Sequence, residues 1–147
     1  MHSTTVRHVI AAPMDRVFNW LVNADNYRAM PGVLRVKVHR IDGDEPNGVG
    51  ALRELTNLAM KVTEEVTVFE RPHRMSYVFR SAIPPMQHEG ATMSFCELAG
   101  RTEVSWTTTL QLSTPVLGRL VTPAYLWSLG LGMKVLFRAA ERDLARE

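Results

Sequence analysis

Arg53 and Glu64 are oppositely charged residues in two strand-like segments, LRELT and KVTEEVTVFE, whose other inward positions are apolar. Hairpin turns fix which residues share a face. A two-residue turn at Asn57-Leu58 pairs Leu55 with Met60 and Arg53 with Val62, which sets Arg53 diagonal to Glu64. A turn at Pro72-His73 pairs Val68 with Tyr77 and Val66 with Phe79, and this puts Glu64 in the same inner row. A buried ion is costly unless it is paired. Arg53 and Glu64 are therefore either a polar anchor that orients a mostly apolar ligand or a salt bridge of rim or core.

The next candidates are adjacent, His88 and Glu89. If Ala99-Gly100 is a two-residue turn, Phe95 faces Val104, Met93 faces Trp106, Ala91 faces Thr108 and Glu89 faces Leu110. Strict alternation turns Glu89 inward, whereas a bulge at Gly90 turns His88 inward. An inward His88 could move a proton near neutrality; an outward one is a surface or core histidine. Tyr77, Phe79, Met93 and Trp106 complete the inner row, as core or as ligand contacts. Tyr125 and Trp127 stand with Leu129 on the apolar first half of a final helix. They could close a pocket, form a homodimer face or touch a membrane surface. Arg35, Lys37 and His39 alternate along one strand, as an anion-binding row or a solvent face that guards an edge.

Other chemistries find little support. His2, His8, His39, His73 and His88 show no metal-ligand spacing with one another or with Cys96. The GLG at Gly130 to Gly132 follows no strand, so no phosphate loop is read there. No serine sits in a nucleophile elbow. Cys96 is expected to be buried in a strand rather than reactive. No metal and no cofactor are expected.

These residues need a frame. The 147 residues predict one domain, 1–147, large enough to bury a core without disulfide or metal. Hydrophobic residues make up 46% and charged residues 22%, the balance of a soluble globular protein. A formal charge of +2, with no long basic run, argues against nucleic acid as a partner. The opening MHSTTVRHVIAAP lacks the pattern of a signal peptide. The most apolar run, Ala124 to Phe137, is short of a membrane span and carries Lys134. The expected location is the cytoplasm.

The elements follow from period and punctuation. A strand over Thr4 to Ile10 leads to Pro13, which suits the first turn of a helix. That helix has Met14, Val17, Phe18 and Leu21 on one stripe. Asn23 and Asp25 cap a second short helix, Asn26 to Met30, stopped by Pro31-Gly32. Strands are expected at Val33 to Ile41, Val49 to Thr56, Met60 to Phe69, from Met75 through Phe79, Met86 to Leu98 and Arg101 to Leu112, with SAIPP as a loop. After Pro115 a long helix is expected to start at Thr122 as N-cap and Pro123 as first residue. Leu126, Leu129, Met133, Leu136, Phe137, Ala140 and Leu144 make its inner face.

This order, together with AAPMDRVFNWLVNADNYRAMPGV, VTEEVTVFERPHRMSYVF and RTEVSWTTTLQL, resembles the START-like, or SRPBCC, helix-grip superfamily along essentially the whole chain. Within it, the chain is most similar to the polyketide cyclase/dehydratase branch. The resemblance implies an α+β helix-grip fold, with a seven-stranded curved antiparallel sheet wrapped around a long C-terminal helix. Two short helices lie between strands 1 and 2, and an internal cavity remains. The implied function is binding of a small, mostly apolar lipid, polyketide or aromatic molecule there. The alternatives are a cyclase, aromatase or dehydratase using the cavity wall, or a co-chaperone or quinone-handling interaction module. Arg53, Glu64, Tyr77, Phe79, His88, Glu89, Met93, Trp106, Tyr125 and Leu129 are the expected ligand contacts.

Overall fold

The computed structural model describes residues 1–58, 60–114 and 117–146. Seven strands form one antiparallel sheet: β1 (His2–Ile10), β2 (Val33–His39), β3 (Leu52–Asn57), β4 (Lys61–Glu70), β5 (Arg74–Ile83), β6 (Met86–Leu98) and β7 (Arg101–Leu112). Their order across the sheet is β1-β7-β6-β5-β4-β3-β2. Consecutive strands β1 and β2 therefore occupy opposite edges, and the chain between them must cross the end of the sheet. The helix α1 (Met14–Val22) and a 3-10 helix at Ala24–Ala29 make that crossing. They bury Val17, Phe18, Leu21, Val22, Ala24 and Tyr27. Phe18 packs edge-on against Phe69 and Phe95, with ring centroids 5.2 and 5.1 Å away. Asn23 accepts the Asp25 N–H at the start of the 3-10 helix, a short polar side chain satisfying a backbone donor that the helix cannot.

The long helix α2 (Leu117–Ala145) fills the sheet's concave side. Leu126, Met133, Leu136, Phe137, Ala140 and Leu144 are buried, each large side chain contributing about 1.5–3 kcal/mol by leaving water. The helix already runs at Leu117, ahead of the start that the Thr122-Pro123 pattern predicts. Thr122 does not cap a helix start; its hydroxyl donates to the Gly118 carbonyl and accepts the Leu112 N–H at 3.2 Å, which ties α2 to the end of β7. Pro123 deprives the Arg119 carbonyl of its helical donor, but Arg119 is exposed and water can serve it. Pro115 lies outside the described residues.

The β6–β7 hairpin has the predicted register at Phe95–Val104, Met93–Trp106 and Ala91–Thr108. It then slips: Gly90 pairs with Thr109 and His88 with Leu110. The bulge moves Glu89 out of the inner row and leaves it exposed. Gly90 has φ +129°, a backbone state that side chains disfavour. Cys96, expected inside, is exposed because it alternates with buried Phe95. The β3–β4 loop is longer than two residues, so Leu55 pairs with Val62 and Arg53 directly with Glu64. The β4–β5 turn is one residue longer than expected and β4 bulges at Thr67, so Val66, not Val68, pairs with Tyr77, and Glu64 pairs with Phe79. β5 continues to Ile83 through pairing with Lys61 and Val62, which shortens the expected SAIPP loop.

Replacing Gly90 with alanine should cost about 1–3 kcal/mol through backbone strain, since a Cβ there would meet nothing closer than the Tyr77 carbonyl at 3.6 Å. A urea denaturation midpoint unchanged by Gly90→Ala would refute the strained bulge.

Candidate ligand cavity

Between the sheet and α2 lies a cavity of about 330 Å³. Its wall is mainly apolar: Leu55 and Phe79 from the sheet, Met30 and Met60 from the loops, and Leu129 and Met133 from α2. Trp106 crosses its floor, tilted against Phe137 with centroids 5.9 Å apart. Pro31, Gly32, Leu58 and Ser128 also line it and are exposed, so it opens to solvent between the chain at 31–32, the β3–β4 loop and α2. Gly132 on α2 faces this opening with no side chain to narrow it.

One corner is polar. Arg53 Nη2 donates to Glu64 Oε2 at 2.5 Å, with both side chains almost wholly buried. The guanidinium lies 4.7 Å from the Tyr77 ring centroid and 5.3 Å from that of Tyr27, so aromatic faces help offset its desolvation. Arg53 Nε and Nη1 have no hydrogen-bond partner among the described residues. Burial alone would lower the Arg53 pKa, but Glu64 and the neighbouring phenols outweigh it and hold the cation. Burial raises the Glu64 carboxyl above its ordinary range, against the pull of Arg53. Burial likewise pushes Tyr27 up to about 12 and Tyr77 well above the usual phenol range, Glu64 adding to the effect at Tyr77. Both phenols stay protonated near neutrality. Tyr27 spends its proton on the Leu21 carbonyl at 2.7 Å. Tyr77 accepts from Trp106 Nε1 at 3.0 Å, and its own O–H has no acceptor among the described residues.

His88 is fixed behind this wall. Its Nδ1 accepts the Phe79 N–H at 3.0 Å, and its ring stacks on that of Phe79 at 3.8 Å between centroids. A backbone N–H can only donate, so the proton of the neutral ring sits on Nε2. Nε2 then donates to Thr108 Oγ1 at 2.9 Å, which leaves the Thr108 hydrogen for another acceptor. Burial lowers the His88 pKa to about 4. The imidazole is neutral at physiological pH with both nitrogens engaged.

Of the predicted contacts, Glu64, Tyr77, Phe79, Trp106 and Leu129 line the cavity. Arg53 lies behind them, and Met93 is packed in the core. His88 reaches the wall only through Phe79 and Thr108. Tyr125 lies beside the cavity, its hydroxyl 3.0 Å from Met60 Sδ. Glu89 is at the surface, carried there by the bulge before Gly90. Sequence reasoning did not single out Thr108 or Tyr27 as contacts. Thr108 was within reach, because it is paired with inward Ala91; Tyr27 projects from the 3-10 helix, which has no face that period alone assigns. The row Arg35, Lys37 and His39 is exposed, and His39 Nε2 lies 2.6 Å from Glu54 Oε2.

A family model described as polyketide cyclase/dehydrase and lipid transport matches residues 1–141. A comparison with curated protein sequences returns no match. Among solved structures, TTHA0849 from Thermus thermophilus is similar over 99% of this chain and 98% of its own, with TM-score 0.80 and 16% identity. A START superfamily protein from Mycobacterium smegmatis is similar over 99% of both chains, with TM-score 0.76 and 12% identity. At these identities the likeness is one of fold, and it is the START-like helix grip.

Removing either partner of the buried pair should cost about 3–5 kcal/mol, because the other charge is stranded. Arg53→Met and Glu64→Leu are each expected to show that loss in chemical denaturation, and the double variant to recover most of it. Additive losses in the double variant would contradict a coupled pair.

Proposed function

Because this chain belongs to the polyketide cyclase/dehydrase and lipid transport family, we propose that it binds a small, largely apolar molecule between the sheet and α2, held by a hydrogen-bond-accepting oxygen at the Tyr77–Thr108 corner. The observation that carries this reading is an open, apolar cavity of about 330 Å³ lined in part by Tyr77 and Thr108, whose hydroxyl hydrogens no described residue accepts. Each methylene moved from water onto this wall contributes about 0.8 kcal/mol. A carbonyl, ether or hydroxyl oxygen satisfies Tyr77 or Thr108 and so fixes orientation. A lone carboxylate suits the corner less well, since Glu64 lines it and like charges repel.

Binding is favoured over turnover at His88. A general acid or base needs a titratable nitrogen within reach of the substrate, and both of this ring's nitrogens are engaged in the wall.

The test is retention and displacement. Protein purified from an expressing cell and sprayed under native conditions is expected to carry a noncovalent adduct. Emptied protein should bind the uncharged fluorophore N-phenyl-1-naphthylamine. Leu129→Trp, which fills the cavity, should weaken that binding at least about tenfold, the equivalent of about 1.4 kcal/mol. Equal affinity in Leu129→Trp would place the probe elsewhere and sink the proposal.

A further inference from the structure

The outer face of α2 is apolar where a soluble helix is ordinarily polar. Leu117, Leu120, Val121, Ala124, Trp127 and Leu131 recur at three- and four-residue spacing and are all exposed, Leu120 at 72% and Trp127 at 68%. Across the cavity opening, Leu58 at the tip of the β3–β4 loop is 82% exposed. Ser128, Leu129 and Gly132 of the same helix line the cavity, and Leu120 with Arg119 borders a second hollow beside Gln87 and Gln111, where β6 begins and β7 ends.

The charge around it has one sign. The segments bordering the mouth, residues 26–38, 57–63 and 112–138, contain seven Lys and Arg and no Asp or Glu, although the whole chain is nearly balanced at 17 to 15. Lys61, Arg119 and Lys134 are exposed and form no ion pair among the described residues. The acidic residues next to those segments in the chain are already engaged by partners within the fold: Asp25 by Arg40 at 2.7 Å, Glu54 by His39 at 2.6 Å, Glu64 by Arg53 at 2.5 Å and Glu141 by His8 at 3.3 Å. Along this helix and the β3–β4 loop, cations and hydrocarbon stand together, and the acidic residues that flank these segments among the described residues are paired.

We propose that this face docks, without spanning, on an anionic membrane surface, with Leu58, Leu120 and Trp127 in the headgroup–acyl boundary and Lys61, Arg119 and Lys134 on lipid phosphates. A second copy of the chain is the poorer fit. A two-fold dimer apposes a patch to itself, and here that sets cation against cation. The apolar side chains form one exposed stripe along the helix, and a fluid surface can mould around such a stripe. Tryptophan is a preferred residue at that depth, and basic residues strengthen attraction to acidic lipids. The arrangement would let an apolar ligand pass between bilayer and cavity with little exposure to water.

Vesicle flotation of the full chain tests this without reference to what the cavity holds. The protein should float with phosphatidylcholine–phosphatidylglycerol vesicles at low salt, and float poorly with phosphatidylcholine alone or at high salt. Tryptophan emission should shift to the blue on binding. The double variants Leu120→Glu/Trp127→Glu and Lys61→Glu/Lys134→Glu replace exposed residues and should keep wild-type thermal stability. Each should lower partition at least about tenfold. Absence of partition into the acidic vesicles, or partition indifferent to both double variants, overturns the proposal. So does a dimer in light scattering that Leu120→Glu/Trp127→Glu abolishes while vesicles go unbound.

Discussion

The ion pair between Arg53 and Glu64 is the constraint around which the cavity end of this fold is arranged. Two charges removed from water lose more than their attraction returns unless further groups receive them. Here the receiving groups come from distant parts of the chain. Tyr27 arrives on the helical crossing between the two sheet edges, and Tyr77 on β5, placing the guanidinium within reach of both rings. The crossing must therefore pack where it does, and the sheet must bring β3 and β4 into the register that sets Arg53 opposite Glu64. Tyr27, Glu64 and Tyr77 are also wall residues of the cavity. Covering the ion pair and building the polar corner of the cavity are one piece of packing.

Neutrality follows from the same burial. Arg53 and Glu64 cancel, the phenols keep their protons and His88 stays uncharged. The rest of the lining is mainly hydrocarbon, with the hydroxyl residues Tyr77 and Thr108 at its polar corner. His88 looked like a catalytic residue by type; in place it orients Thr108 and stiffens the wall beneath Phe79.

Much of this was legible from residue order. β6 and β7 have the predicted ends because Ala99-Gly100 leaves one register for the hairpin. The β3–β4 and β4–β5 pairings are offset by two residues from those expected, yet Arg53, Glu64 and Tyr77 stay inside, because an even slip preserves the face. The bulge at Glu89 is an odd slip, and it reverses the neighbours His88 and Glu89. Depth was not legible. Alternation puts Arg53 on the concave side but cannot say that Tyr27 and Tyr77 stand between it and the cavity. The start of α2 was hidden for a different reason: Thr122-Pro123 has the residues of a helix N-terminus, and only the contact of Thr122 with Leu112 shows them used inside one.

On this account a ligand enters the space between sheet and α2. Methionine methyl resonances report on it directly, because Met30, Met60 and Met133 line the cavity, whereas Met75 and Met93 are buried elsewhere in the core and Met14, the first residue of α1, packs against that core. In protein labelled with ¹³C at these methyls and titrated with N-phenyl-1-naphthylamine, the first three should move together and saturate while the other three hold still. If the probe leaves Met30, Met60 and Met133 unmoved, or moves all six alike, the cavity is not where this protein takes its ligand.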